Sequence, residues 1–460
     1  MNAMNGSAAV CALSTAFVVS GAITASGVWG GAAAQEESYF VRDRNVSVAE
    51  RTQPGYRPEG LRAGQFILRP QVDVGLGYVS NVFALSDSDV PALEQYEDES
   101  SLFGILRGSL TGQSDWNRHE VSFDAYVEGF ANEEFSEQGF VNAGLGVGGV
   151  LDVTRGTEVF GGLSYDTLNE SRLLNNVNIV ATEPIAYDLA RGEVGVRREV
   201  GRTRASVRLD VADYDYDDVE IITFPGFDPV TNAPLAISSG TADQDFRDHT
   251  GLRLRGEVGV AVSPDTAVFV RAAVNRQEFD GRDALGFDRD SDGWRGEVGA
   301  EFDITRLVRG EVAVGYFEQE FEEGTFETVS GVAVDAALEW FPTELTTVSA
   351  IASRGARQSP FIAGGGIVAS EITLRADHEL RRDTLLYAFA GYAEDEWEDI
   401  DQTFERARAG VGGRYYFSPQ LSVAADYLYT TQDVAQQTFE GGFGQDYNVH
   451  QATITVSLTP

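Results

Sequence analysis

The sequence predicts an all-β fold: a transmembrane antiparallel up-and-down β-barrel of about 18 strands (16–18), with short periplasmic turns and longer acidic outer loops. Three observations predict it. Residues 294–304, WRGEVGAEFDI, alternate strictly: Trp294, Gly296, Val298, Ala300, Phe302 and Ile304 are apolar or small, while Arg295, Glu297, Gly299, Glu301 and Asp303 are charged or tiny. A period of two gives a strand one face for apolar surroundings and one for water. The same rhythm returns from about residue 68 to the C-terminus, with almost no helical stretch between. Finally, the connections between the alternating segments are short and long by turns.

Taken in order, the chain opens on Ala8–Ala34, an uncharged run of small residues ending in GGAAAQE. Ala32-Ala33-Ala34 satisfies a small-x-small cleavage rule, so residues 1–34 read as a secretory signal peptide and Gln35 as the mature N-terminus. The start, MNAMNGS, lacks the usual positive charge, and a membrane anchor helix is the alternative; the scarcity of Leu, Ile and Phe argues against it. Cys11, the single cysteine, has no lipidation context and leaves with the signal. Residues 35–67 are polar, carry Pro54 and Pro58, and do not alternate until their end. They are expected to form a periplasmic N-terminal tail or a plug in the pore.

From residue 68 to 460 the rhythm marks eighteen strands, centred near Val74, Leu106, Tyr126, Leu145, Leu163, Val194, Leu209, Val258, Val270, Val298, Val314, Ala336, Ala350, Leu374, Ala388, Val411, Ala425 and Thr455. Short links fall at Arg155-Gly156, Gly201-Arg202, Ser263-Pro264-Asp265, Arg306-Leu307, Pro342-Thr343, Arg381-Arg382-Asp383 and Ser418-Pro419. Longer acidic ones cover 80–100, 169–186, 215–246, 280–290, 356–366, 394–403 and 432–446. The links near 113–118, 132–138 and 322–324 are weakly marked. An even strand number returns both termini to the periplasmic side, and closure leaves no sheet edge in lipid.

Register follows from cost. Slipping the strand at Trp294 by one residue would turn Arg295, Glu297, Glu301 and Asp303 into the membrane, at up to ~2–4 kcal/mol for an arginine at midplane and less for acids. Those side chains therefore point inward. Pore-lining candidates on this register are Arg191, Arg197, Arg208, Arg253, Arg255, Arg271, Arg295, Arg309, Arg375, Arg406, Arg408 and Arg414, with Glu257, Glu297, Glu301, Glu311 and Asp335 among the acids. An anion-binding ladder and mutual Arg–carboxylate pairing both fit; the interleaved acids favour pairing. Inward Tyr126, Phe160, Tyr214, Phe317 and Tyr416 either fill space or stack on sugar rings. Outward aromatics near strand ends, such as Trp294, Trp340, Tyr415, Phe417 and Tyr427, fit interfacial girdles.

Composition narrows the function. Net charge is −38 and all 34 basic residues are arginine, with no basic cluster for nucleic acid. Asp288, Asp290 and Asp292 imitate a calcium loop, but position twelve falls on Gly299, so they are weak metal candidates and a solvated loop is the plainer reading. The acidic runs 213–220 and 394–401 are unspecific candidates for holding divalent cations against lipopolysaccharide. His119, His249, His378 and His450 lie far apart and none adjoins a marked nucleophile, so no enzyme and no cofactor is expected.

The segment ERTQPGYRPEGLRAGQFILRPQVDVGLGYVSNVFA, residues 50–84, resembles the opening of the putative β-barrel porin 2 family of proteobacterial outer-membrane proteins. There a Gly-Leu-Arg-x-Gly segment leads into a Pro-headed strand and an Asp-Asn-Val-Phe-like turn; here the turn is Ser80-Asn81-Val82-Phe83. A second departure is the C-terminus, VSLTP, where an aromatic residue is usual. The resemblance implies an outer-membrane channel, often associated with surface-polysaccharide export. Expected partners are outer-membrane lipid, lipopolysaccharide and periplasmic export machinery, with a homo-oligomer open. A diffusion porin and a structural or adhesive surface barrel are the alternatives.

Overall fold

The computed structural model describes residues 46–51, 55–56, 58–85, 96–172, 181–223, 238–283, 286–304, 307–359, 364–399, 402–435 and 446–460. Residues 1–34, read as a signal peptide, lie outside them. Eighteen long strands run in chain order: β1 Phe66–Val79, β2 Ser101–Ser114, β3 His119–Asn132, β4 Phe140–Thr154, β5 Thr157–Asn169, β6 Ala186–Val200, β7 Thr203–Tyr216, β8 His249–Ser263, β9 Thr266–Phe279, β10 Ser291–Ile304, β11 Val308–Phe321, β12 Val329–Thr343, β13 Thr346–Gln358, β14 Gly366–Arg381, β15 Thr384–Trp397, β16 Gln402–Ser418, β17 Leu421–Ala435 and β18 Tyr447–Leu458. Each pairs antiparallel with its sequence neighbour, and β18 closes on β1 from Leu458 opposite Val72 to Gln451 opposite Val79. The closed barrel and its eighteen expected strands are therefore present, every predicted centre lying inside one of them.

With strands about 4.8 Å apart and tilted about 40°, eighteen close on a backbone cylinder roughly 36 Å across. Both β1 and β18 have their free ends at the short-turn end. The weakly marked link at 113–118 is a short turn, whereas those at 132–138 and 322–324 are outer loops. One turn is displaced from its expected place. The chain runs on through Pro342 and turns at Glu344-Leu345, because a register shift between Trp340 and Thr343 spares the proline a ladder bond. At Gly156 and Gly201 the two-residue turns need positive φ (75° and 65°), which glycine adopts without strain.

The usual inside and outside are exchanged. Leu76, Leu163 and Ile454 are 60–72% exposed on the outer wall, while Glu297, Thr430 and Gln432 are at most 4% exposed inside. Only an apolar solvent makes that arrangement favourable. On β10 the outward face runs apolar from Trp294 to Ile304, eleven residues and so roughly 34 Å of strand, hence about 26 Å of membrane thickness at a tilt of about 40°. Trp294 and Tyr427 stand at one rim of this band and Trp340, Tyr415 and Phe417 at the other.

Among the described residues, the apolar side chains cluster inside the outer end of the barrel. Val79, Phe103, Ile105 and Tyr447 form one cluster, Leu168, Tyr187 and Leu189 a second, Phe317, Val329 and Ala333 a third, and Ile367, Trp397 and Phe404 a fourth. All belong to the strand ends beside the long loops. At the opposite mouth, Ser47–Arg51 enters the lumen: Val48 N donates to Thr347 Oγ1 at 3.0 Å, and Arg51 pairs with Glu379 at 3.3 Å. The chain then passes Tyr56, 6.0 Å from the Tyr416 ring, on its way to β1.

Candidate functional site in the barrel lumen

Alternation along β8 to β12 sends Glu257, Arg271, Glu297, Glu311 and Asp335 to the inner wall, and the register then decides which of them meet. Glu257, Arg271 and Glu297 are direct cross-strand partners on three successive strands. Arg271 reaches Glu257 at 3.0 Å, Glu311 at 2.7 Å, Glu297 at 3.9 Å and Asp335 at 4.0 Å. Arg295 joins the same group through Glu297 (2.7 Å) and Asp335 (2.9 Å). The Arg271 guanidinium also lies 4.9 Å over the Phe269 ring. That ring covers Gly299, where any Cβ would come within 2.3 Å of it, so the glycine lets the aromatic lie flat beneath the cation.

The other inward arginines are placed likewise. Arg197 pairs with Glu158 (2.7 Å), Arg208 with Glu193 (3.7 Å), Arg375 with Asp377 (2.7 Å) and Arg408 with Glu371 (2.8 Å). Arg309 bonds Glu339 and lies 3.5 Å from Glu50 of the entering tail. Arg406 bonds Asp395. Arg414 donates to Ser422 (3.1 Å) and Ser457 (3.3 Å). Arg253 is opposite Asp210 and Arg255 opposite Arg208, while Glu301 stands across from Glu311. Arg191 is exposed to the lumen between β5 and β7. The wall is thus a polar, largely paired lining and not a row of isolated cations.

Sequence reasoning missed the outer closure, since alternation is silent in loops. Arg247, before β8, is buried and pairs with Glu170, before β6; the Tyr216 ring lies 4.0 Å beneath it. Burial opposes its charge, but Glu170 and Tyr216 more than offset this and raise its pKa. Arg289, 1% exposed, donates to the Ser359 and Gly364 carbonyls and lies 5.2 Å over Phe279. Arg172 donates to Gln138 Oε1 at 2.8 Å and to the Ala181 carbonyl; burial brings its pKa down to about 10. Five outer loops are cross-linked in this way, and only their arginine content hinted at it.

The calcium-like run does not gather. Asp290 accepts from Phe279 N at 2.7 Å, Asp288 from Asp290 N at 3.2 Å, and Asp292 lies 3.8 Å from Arg276 on the outer wall. Among the described residues, the acids within mutual ligand distance are instead Asp218, Asp243 and Asp245, all exposed on one loop. Of the run 394–401, Asp399 accepts from the backbone of Glu327 and Gly365.

Residues 53–458 match the family described as "Putative beta-barrel porin 2". No curated protein matches. Similar solved structures include the siderophore receptor PirA from Acinetobacter baumannii (8% identity, TM-score 0.43, 85% of this chain and 80% of that one). The copper transporter OprC is similar at 10% identity and TM-score 0.45, covering 87% of this chain and 82% of that one. Acinetobacter baumannii OccAB3 matches at 10% identity and TM-score 0.40, over 85% and 99%.

Proposed function

Because this chain belongs to the "Putative beta-barrel porin 2" family, we propose that it is an outer-membrane channel through which an extracellular or capsular polysaccharide is secreted. The observation that carries the reading is the lining: a wide ring of strands whose inward arginines are largely met by inward carboxylates. Such a wall is hydrophilic but offers few unmet charges to arrest a hydrated chain sliding past. The exterior then contacts outer-membrane lipid and lipopolysaccharide. The push comes from periplasmic machinery, which the docked tail at residues 46–51 is positioned to meet. A homo-oligomer is compatible with this arrangement.

The channel is a conduit in this reading and not an enzyme. Its histidines are engaged structurally: His249 stacks on Tyr214 (4.6 Å) and Phe279 (4.9 Å), His378 bonds Thr346, His450 bonds Tyr427, and His119 accepts Asp152 N. The cross-linked outer loops favour a second reading, a porin for small solutes, because they narrow the exit. Deleting the gene separates the two. Loss of surface glycan supports secretion; intact glycan with slowed small-solute uptake, matched by solute flux into liposomes holding the purified protein, overturns it.

A further inference from the structure

We infer that the outer arms of the β13–β14 hairpin, residues 355–359 and 364–369, form a two-position gate, folded into the lumen here and able to swing out and complete the barrel wall. Such a gate regulates the channel proposed above and so rests on that reading, though not on the cargo. The ladder between β12 and β13 stops early. It runs from Trp340 opposite Val348 up to Val334 opposite Arg354, although β12 continues to Val329 and β13 to Gln358. Above this fork β12 pairs with β11, and β13 with β14. Arg295 fills the fork from inside, donating to the Arg354 carbonyl at 3.0 Å and the Val334 carbonyl at 3.4 Å.

Where the strands part, the hairpin turns inward. Gln358 donates to Ser291 Oγ on β10 at 3.2 Å, yet in a continuous wall β13 stands about 14 Å from β10. Val368 packs with Phe317, Val329 and Ala333 of the inner wall. Cα atoms of β12 and β14 come within 8 Å of each other although β13 lies between them in the sheet. Arg289 holds the folded arms through the Ser359 and Gly364 carbonyls.

The arms nevertheless carry the sequence of a lipid-facing wall. Val368 shares the parity of the exposed, outward Ile372 and Leu374, but is itself 1% exposed. Ala356 shares the parity of Ala350 and Ala352. Continuing the register past Val334 and Arg354 sets Val332 against Ala356, Gly331 against Arg357 and Ser330 against Gln358, with no bulge. Val332, Ala356 and Val368 then meet lipid, Ser330 and Gln358 the rim, and Arg357 the lumen. Folding in costs ladder bonds. The Val334 carbonyl points at the fork, so the N–H and C=O of Val332, two residues on, point the same way and have no ladder partner among the described residues. Val332 is exposed in the apolar outer row, where lipid offers neither donor nor acceptor. Apolar burial inside the lumen thus competes with hydrogen bonds in the wall, and the two positions exchange. Stacked sheets lie about 10 Å apart, so the folded arms take about that much from the width of the lumen.

Residues 35–460 contain no cysteine, so introduced thiols test the motion in the full mature protein. In the folded-in position Ser330→Cys and Gln358→Cys lie on opposite sides of the wall, since Ser330 accepts from Tyr316 outside and Gln358 bonds Ser291 inside. In the wall position they are direct neighbours. Mild oxidation of this double variant in planar bilayers is expected to form the disulfide and raise conductance roughly 1.5-fold or more as the open cross-section grows, and a reductant should reverse both. The gate is overturned if no disulfide forms in a barrel of compact, folded gel mobility. It is equally overturned if the disulfide forms and conductance stays the same, a silent channel included. If the double variant does not fold, Val368→Cys decides. A lipid-soluble maleimide should label it as it labels the exposed Val332→Cys, and an unlabelled Val368→Cys overturns the gate. Gate and cargo fail separately. A working gate, with surface glycan intact after gene deletion, removes secretion and keeps the gate; lost glycan without any disulfide does the reverse.

Discussion

Arg271 shows how a single side chain can hold a wall together, since it sits between the buried carboxylates of Glu257 and Glu297 and also reaches the more open Glu311 and Asp335. Removing one partner of a buried pair costs about 3–5 kcal/mol, because the remaining charges stay buried. Arg271→Leu is therefore expected to lower the denaturant midpoint of the lipid-embedded protein by that order. Arg276→Ala, at the half-exposed pair with Glu278 on the outer wall, should shift it by no more than about 1 kcal/mol. In the outer loops, burial and the neighbouring Asp215, Asp245 and Asp280 push the Asp248 carboxyl up to about 6. A folded pKa above the unfolded value means that the folded state holds the proton more tightly. Its contribution is then greatest at acidic pH and declines as pH rises from about 4 to about 6. Asp248→Asn keeps the acceptor for Tyr216 N and should flatten this decline, read as hydrogen exchange of residues 217–248 at pH 4 and pH 7.

Each strand is specified by two demands at once, an apolar outer row and a polar inner row, and either alone would leave the register loose. Val298, 57% exposed, lies midway along the apolar row of β10. Placing an arginine there should cost about 2–4 kcal/mol, whereas the same change near a rim costs about 0–1; comparing Val298→Arg with Ile304→Arg in refolding titrations checks this. Alternation was legible wherever lipid and water flank the same strand. It became ambiguous at Pro342, where a bulge lets the strand run past a residue that ordinarily ends one.

At the level of the molecule the lumen has three zones: a docked tail at the short-turn mouth, a charged and paired middle, and an aromatic outer end under cross-linked loops. Val48 is 1% exposed against the wall although Thr347 lies 299 residues away in sequence. If the tail obstructs the mouth, deleting residues 46–51 should raise single-channel conductance in planar bilayers. Unchanged conductance would show that the segment lies clear of the path. Glu379→Ala, which removes the ion pair to Arg51, should reproduce the increase in part.

The two-residue rhythm by itself determined the fold class, the strand number to within about two and the alternation of an apolar and a polar face, because the transfer cost between lipid and water acts on every residue of a strand separately. The pairings were another matter. That Arg271 meets four carboxylates while Arg414 meets two serine hydroxyls depends on the stagger between strands, and no single strand encodes it. The loop arginines and the docked tail were decided only when the sheet closed, since barrel closure alone brings residues remote in sequence onto one enclosed surface.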